Sequence, residues 1–345
     1  VEIVLNFKHN VNDLVDCRVQ CIRDIIEYHS GYHISSTMCF GLGEGLDFLY
    51  WQETKTKIPV LVILGRSLNC EQTLCQKMDL NMAVIKPDTE DLNTTSNMEL
   101  IYFINKQKPV MVDVDRYFLD YLAVKFGRSH FGFHSLLIVG YRNVDDLEFA
   151  LYDFLSNDLI WFPSSKLSLA RTSAWQPFAP ERKFYTFNTK HIRSIDSKLI
   201  SCSIEANCKK LLNCNGKSGI AAMSLLSDEI LGLVQYMNSS QSMHVINLQI
   251  KLIVSYIKEF ESSGTFYRRI YSNFLKEASE FEGLGDLEGF SCELSVIADK
   301  WDSVVKYLTL DVNTKDKIIY LGNELKQISN SEFKLLNELI TMLPR

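Results

Sequence analysis

Cys17, His134 and Asp153 are the three residues whose types and order along the chain suit nucleophilic catalysis. Cys17 sits where a polar, β-type stretch ending at Asp16 gives way to a helix-patterned run from Cys17 to His29. A thiol at a helix N-terminus faces unpaired backbone N–H groups and the positive end of the helix dipole, and both favour the reactive thiolate. His134 opens a strand-like run that continues to Tyr141, and Asp153 closes the next one, from Glu148. The order matches a nucleophile, its general base and the group that orients the base. His130, four residues earlier, competes as the base. His134 adjoins the apolar strand and is the better anchored of the two, which leaves His130 to line the cleft. Asp153 also reads as a turn aspartate at a strand end.

Other chemistry-bearing residues read more plainly as structure. Cys21 lies one helical turn after Cys17, as a resolving thiol would, but a free cysteine packs like a small hydrophobe and the reading is a buried helix-face residue. Gly41, Gly43 and Gly45 lack the spacing of a phosphate loop and read as a tight turn that brings backbone to the cleft, with Glu44 near the pocket. Cys202, Cys208 and Cys214 are six residues apart, unlike the close pairs that ligate zinc, so no metal is expected. In Phe266–Phe274, the four-residue spacing of Phe266, Ile270 and Phe274 predicts core contacts from one helix face.

The elements that must position these residues fall into two groups. Through about residue 185, β-patterned runs (60–64, 82–86, 109–114, 135–141, 148–152, 159–162 and 184–187) alternate with helices. Beyond about 190, helix-period apolar positions dominate 219–237, 243–261, 265–281, 292–308, 315–328 and 332–342. In the last of these, Phe333, Leu336, Leu339, Ile340 and Leu343 fall on one stripe. Asp16 is placed as the N-cap of the first helix and Gly31 as its terminator. The pattern predicts an α+β domain over 1–185 and an all-α domain over 186–345. The join is read in Ser173–Lys183, whose prolines interrupt both periodicities.

Length and composition set the bounds. The chain has 345 residues, enough for two cores, and 46% hydrophobic with 23% charged residues is ordinary for a folded protein. A net charge of −6 offers no general attraction to nucleic acid or anionic lipid, and neither is expected as a partner. Nine cysteines in no repeating framework suggest a reducing cytoplasm. Val1–His9 has no secretory-signal pattern, and the longest apolar run, Ile58–Leu64, is too short to span a membrane. The expectation is a soluble cytoplasmic protein whose apolar helical half could support a homodimer.

A resemblance sharpens this. Cys17, Arg23, Ile34-Ser-Ser, Phe40-Gly-Leu-Gly-Glu-Gly-Leu46 and Phe48-Leu-Tyr-Trp51 resemble the N-terminal domain of the butirosin-biosynthesis acyltransferase family. So do Pro109–Asp115, Leu119-Asp-Tyr121, His130-Phe-Gly-Phe-His134, Val139-Gly-Tyr141 and Ala170-Arg171. Gly264–Ala278 and Ala298-Asp-Lys-Trp301 resemble the family's accompanying helical domain. The resemblance implies a papain-like fold with an antiparallel sheet, followed by the helical domain. Two positions depart from the family pattern: Asp16 stands where a histidine is usual, and Ser36 where a glutamate is. An aspartate next to the nucleophile opposes its ionisation unless the charge is engaged in capping the helix.

The family moves an acyl group from a carrier-protein thioester to an amine. What the resemblance implies here is that Cys17 attacks a phosphopantetheine-linked thioester, His134 moves the protons and Asp153 fixes the imidazole tautomer, with a small amine as acceptor and no metal or nucleotide cofactor. The oxyanion donors would be the Cys17 N–H and the side chain of Asn10 or Asn12. An acidic carrier would dock on Arg268 and Arg269, or on Lys209 and Lys210. The same triad becomes a thioesterase or amidase if water reaches the acyl-enzyme first. A third reading, drawn from Asp16 and Ser36, is a non-catalytic carrier-binding module.

Overall fold

The computed structural model describes residues 1–11, 16–53, 60–87, 94–122, 127–213, 216–237, 240–258 and 264–344. In chain order the first elements are β1 (Glu2–Val4), α1 (Cys17–Ser30), α2 (Ser36–Leu42), β2 (Leu46–Glu53), β3 (Val60–Arg66) and α3 (Cys70–Lys77). Next come β4 (Asn81–Ile85), α4 (Thr94–Asn105), β5 (Val110–Val114), β6 (His134–Asn143), β7 (Leu147–Tyr152) and β8 (Ile160–Pro163). After them follow α5 (Ser164–Thr172), β9 (Phe184–Asn188), α6 (Ser197–Leu212), α7 (Gly219–Gly232), α8 (Ser240–Lys258), α9 (Arg268–Ala278), α10 (Leu287–Thr309) and α11 (Thr314–Met342). The architecture is α+β with a helical C-terminal part.

The chain forms two compact units, the first from Val1–Ser36 with Cys75–Arg193 and the second from Thr37–Leu74 with Ser194–Arg345. The first unit is built on an antiparallel sheet ordered β4-β9-β5-β6-β7-β8. β6 pairs with β5 through its first half and with β1 through its second, while β7 runs along its other edge. Strands β5 and β6 are buried almost throughout, as their unbroken apolar runs require. α1 packs on β6, its Val19, Ile22, Ile25 and Ile26 are all buried, and it ends at Gly31 in the left-handed conformation. The helix that carries residue 17 is therefore fixed to the strand that carries residue 134.

The second unit is helical apart from the β2–β3 hairpin, which packs on α7 and α8. Its core gathers Phe48, Phe266 and Trp301, with ring centroids 4.9 to 6.2 Å apart. Phe266, Ile270 and Phe274 are buried at the expected four-residue spacing, although the helix begins only at Arg268. The runs 315–328 and 332–342 are one continuous helix, and its buried stripe passes through Leu335, Leu336 and Leu339 while Phe333 is 53% exposed.

This division differs from a boundary at 185/186 in two places. Residues 37–74 belong with the helical unit: Asn207 of α6 brackets Leu46 with both amide atoms, donating to its carbonyl at 2.7 Å and accepting from its N–H at 3.3 Å. Ser173–Lys183, read as the join, lies inside the first unit. Its Ser173 hydroxyl donates to Asp115 at 2.6 Å, and the chain then continues into β9, between β4 and β5. A proline-broken periodicity marks an irregular segment without saying whether it separates two cores or crosses one.

Candidate functional site

Cys17 is the first residue of α1, and the helix starts there because Asp16, in extended conformation, turns its carboxylate over the first turn. Asp16 Oδ1 accepts from the N–H groups of Arg18 and Val19 at 3.1 and 3.0 Å, and the Asp16 carbonyl accepts from Gln20 at 2.8 Å. The Cys17 N–H is the one donor of the turn left out of this cap. The residue is half-buried, and its thiol donates to the Phe133 carbonyl at 3.8 Å. The carboxylate beside position 17 is thus engaged in capping.

His134 begins β6 and is buried. Leu137 of β6 pairs with Tyr152 of β7, so Asp153, one residue further on, lies alongside the start of β6. His134 Nε2 donates to Asp153 Oδ2 at 2.9 Å, and the Cys17 side chain, whose thiol donates to the carbonyl of the preceding residue, Phe133, lies near enough to act on the imidazole. Burial pushes the imidazole pKa down, but the Asp153 charge and hydrogen bond, with Cys17 adding to them, win and raise it to about 9. Burial likewise pushes the Asp153 carboxyl up, and the paired His134 and the Tyr121 hydroxyl hold it below the usual range instead. The structure therefore brings residues 17, 134 and 153 to one place: imidazole and carboxylate are hydrogen-bonded, and the sulfur bonds the backbone of the residue before His134.

Tyr121 belongs to this group although its position in the sequence gave no such sign. Its hydroxyl donates to Asp153 Oδ2 at 2.8 Å, while the Leu155 N–H donates to Oδ1 at 3.2 Å. Behind α1 lies a second buried polar group that was equally unforeseen, built on His9 and Asp24 with Gln20, Arg23 and Ser36. Ser36 donates to Gln20 Oε1 at 2.7 Å. Cys21 is buried against the same cluster, and burial together with the nearby negative groups pushes its thiol well above the ordinary value.

Comparison with protein families matches residues 16–153 to the N-terminal domain of butirosin biosynthesis protein H and residues 165–339 to a domain of unknown function, DUF4872. The chain belongs to the butirosin biosynthesis protein H-like family. No curated protein matches it. The butirosin biosynthesis protein H model spans Cys17, His134 and Asp153 and begins at the helix cap itself, Asp16.

Other residues singled out from sequence in this butirosin biosynthesis protein H-like chain have partners of their own. His130 is not joined to the Cys17 group by any hydrogen bond among the described residues. Its Nδ1 donates to Asp115 at 2.7 Å, and its ring is stacked between Tyr117 and Trp175 at 3.9 and 4.2 Å. Asn10 is fixed through its main-chain carbonyl, which accepts from Gln20 at 3.2 Å and Arg23 at 3.3 Å, and Asn12 lies outside the described residues.

Glu44 belongs to the second unit, in a left-handed turn whose carbonyl accepts from Lys210 at 2.8 Å. The glycines around it serve packing there: a Cβ on Gly41 would fall 2.2 Å from the Phe274 ring. Arg268 is fully buried, held by Glu332 at 2.7 and 2.8 Å, and so is no surface contact. Its helix face turns inward because Glu332 supplies the charge that makes the burial tolerable. Arg269 is partly exposed and pairs with Asp299, and Lys209 pairs with Glu205 on the surface. Cys202 is exposed, Cys208 is buried, and Cys214 lies outside the described residues.

Proposed function

We propose that this protein is a cysteine-dependent acyltransferase of natural-product biosynthesis, with a papain-like catalytic unit, that takes its acyl group from a carrier-protein thioester and passes it to a small amine. The observation that carries the reading is the His134–Asp153 hydrogen bond with Cys17 beside it, bonded to the Phe133 carbonyl and placed at the N-terminus of α1. His134, its pKa held near 9, is a cation at neutral pH and can sit beside a Cys17 thiolate as an ion pair.

In the first half-reaction, Cys17 Sγ bonds to the thioester carbonyl carbon and the bond from that carbon to the carrier's sulfur breaks. The departing thiolate takes the proton from His134. In the second, the amine nitrogen bonds to the acyl carbon and its proton passes to the now neutral His134. The carbon–Sγ bond then breaks and the thiolate–imidazolium pair is restored. The Cys17 N–H, left out of the helix cap, donates to the tetrahedral oxyanion in this reading. A thioester is already activated, so this chemistry consumes no nucleotide.

The test is intact-mass measurement after incubation with an acyl-N-acetylcysteamine thioester. One acyl increment on the native chain and none on Cys17→Ala is expected, with release faster by amine than by water. Release by water alone makes the protein a thioesterase or amidase, and no increment removes the covalent mechanism.

A further inference from the structure

His9 lies in the segment between β1 and α1, and both of its ring nitrogens face groups that can only accept. Nδ1 is 2.6 Å from Asp24 Oδ2, and Nε2 is 2.9 Å from the Ser156 carbonyl and 3.2 Å from the Asp153 carbonyl. A neutral imidazole carries one N–H, so satisfying both sides requires the doubly protonated ring. The ring is enclosed, stacked on Tyr152 at 4.6 Å with its side chain 2% exposed. The charged groups facing it are Asp24 from α1, with Arg23 bonded to the other oxygen of that carboxylate, and the Asp153 end of β7.

Of the two carbonyls that His9 faces, the one at 3.2 Å is that of the residue whose carboxylate orients His134, and the closer one, of Ser156, lies in the same turn. The Asp153 carbonyl also accepts from the Ser156 N–H at 3.0 Å to close the turn after β7. One residue pair on, the Val11 N–H donates to Asn157 Oδ1 at 2.7 Å, so the same segment is pinned to this turn twice. Asp24 is in turn fixed by Gln20 Nε2 at 2.7 Å, from the helix that carries Cys17. A continuous path of hydrogen bonds therefore runs from α1 through Asp24 and His9 to the backbone of Asp153.

We propose that His9 is a positioning residue: held as a cation by Asp24, it ties the turn bearing Asp153 to the helix bearing Cys17 and so sets the distance between the two ends of the triad. This rests on the acyltransferase reading above. A carboxylate displaced by about 1 Å no longer holds the imidazole in its productive orientation, and misplacements of that size cost up to roughly 100-fold in rate.

The experiment uses the full chain with His9→Ala, His9→Gln and Asp24→Asn. It measures acyl transfer from the N-acetylcysteamine thioester and the pH profile of Cys17 alkylation by iodoacetamide. The expected result is a 10- to 100-fold fall in kcat with KM within about threefold, and a thiolate profile that loses its His134-dependent limb, while circular dichroism stays native. His9→Gln, which keeps a donor toward the carbonyls but no charge, should fall between wild type and His9→Ala; it also serves if His9→Ala does not fold. Native kcat and an unchanged profile in any folded His9 variant overturn the positioning role alone. A native chain that is never acylated overturns the acyltransferase reading, and this role with it.

Discussion

Asp153 Oδ2 is shared: His134 Nε2 donates to it at 2.9 Å and the Tyr121 hydroxyl at 2.8 Å. Two donors on one oxygen fix the carboxylate plane as well as its position; His134 and Asp153 are buried and Tyr121 is partly so. Removing one leaves a buried acceptor short of a partner, at a cost of about 1–3 kcal/mol. Tyr121→Phe is therefore expected to lower stability by that amount in urea titration. With one restraint on the base's orienting group gone, it should also reduce acyl-transfer kcat by about tenfold.

The same pairing sets the pH dependence. His134 is raised from 6.5 to about 9, so the stability it contributes is fully present below pH 6.5 and is lost as pH rises through about 9. Asp153 is lowered, so its contribution is present above its ordinary 3.8 and is lost as pH falls through its folded value. In activity, loss of the imidazolium should give kcat/KM an alkaline limb near pH 9. Asp153→Asn removes the charge that raises His134, and the limb should move to lower pH. A limb that stays in place in this variant would sink the assignment.

Asp16 separates capping from charge. Its carboxylate holds two N–H groups of α1 and also places a negative charge next to Cys17. Asp16→Asn keeps an N-cap side chain and removes the charge, so stability should change by less than about 0.5 kcal/mol while alkylation of Cys17 at neutral pH becomes faster. Asp16→Ala loses the cap and should cost about 1 kcal/mol. Chemical denaturation and iodoacetamide kinetics on the two variants read the two effects independently.

Cys17, His134 and Asp153 could be picked out from sequence because each stands at the boundary of an element with a plain pattern: a capped helix, the start of an apolar strand and the end of the next. Tyr121 could not, since it follows a 3₁₀ turn with no periodicity and its partner is 32 residues away. Nor could His9 in its irregular segment, whose bonds reach across 15 and 147 residues. Such contacts are made by the sheet's register, which no local window encodes. The pair β2–β3 illustrates the same limit, because an unbroken apolar run announces β3 but not which of two cores it enters. Arg268 failed for the opposite reason. Charged residues default to the surface, and only a glutamate 64 residues away reverses that.

Arg268 and Glu332 accordingly carry a prediction about the helical unit. Arg268 also donates from Nη1 to the carbonyls of Asp47 and Phe266, both at 2.9 Å, and lies over the rings of Phe266 and Trp301. Removing either charge leaves the other buried without its partner, which costs about 3–5 kcal/mol. Arg268→Ala and Glu332→Ala should each shift the urea midpoint by that amount. Arg268→Met with Glu332→Leu, which removes both charges while keeping volume, should recover much of the loss. If Arg268 were a surface docking residue instead, charge reversal there would leave the midpoint unchanged and alter only carrier binding. Measuring the midpoint of Arg268→Glu decides between the two.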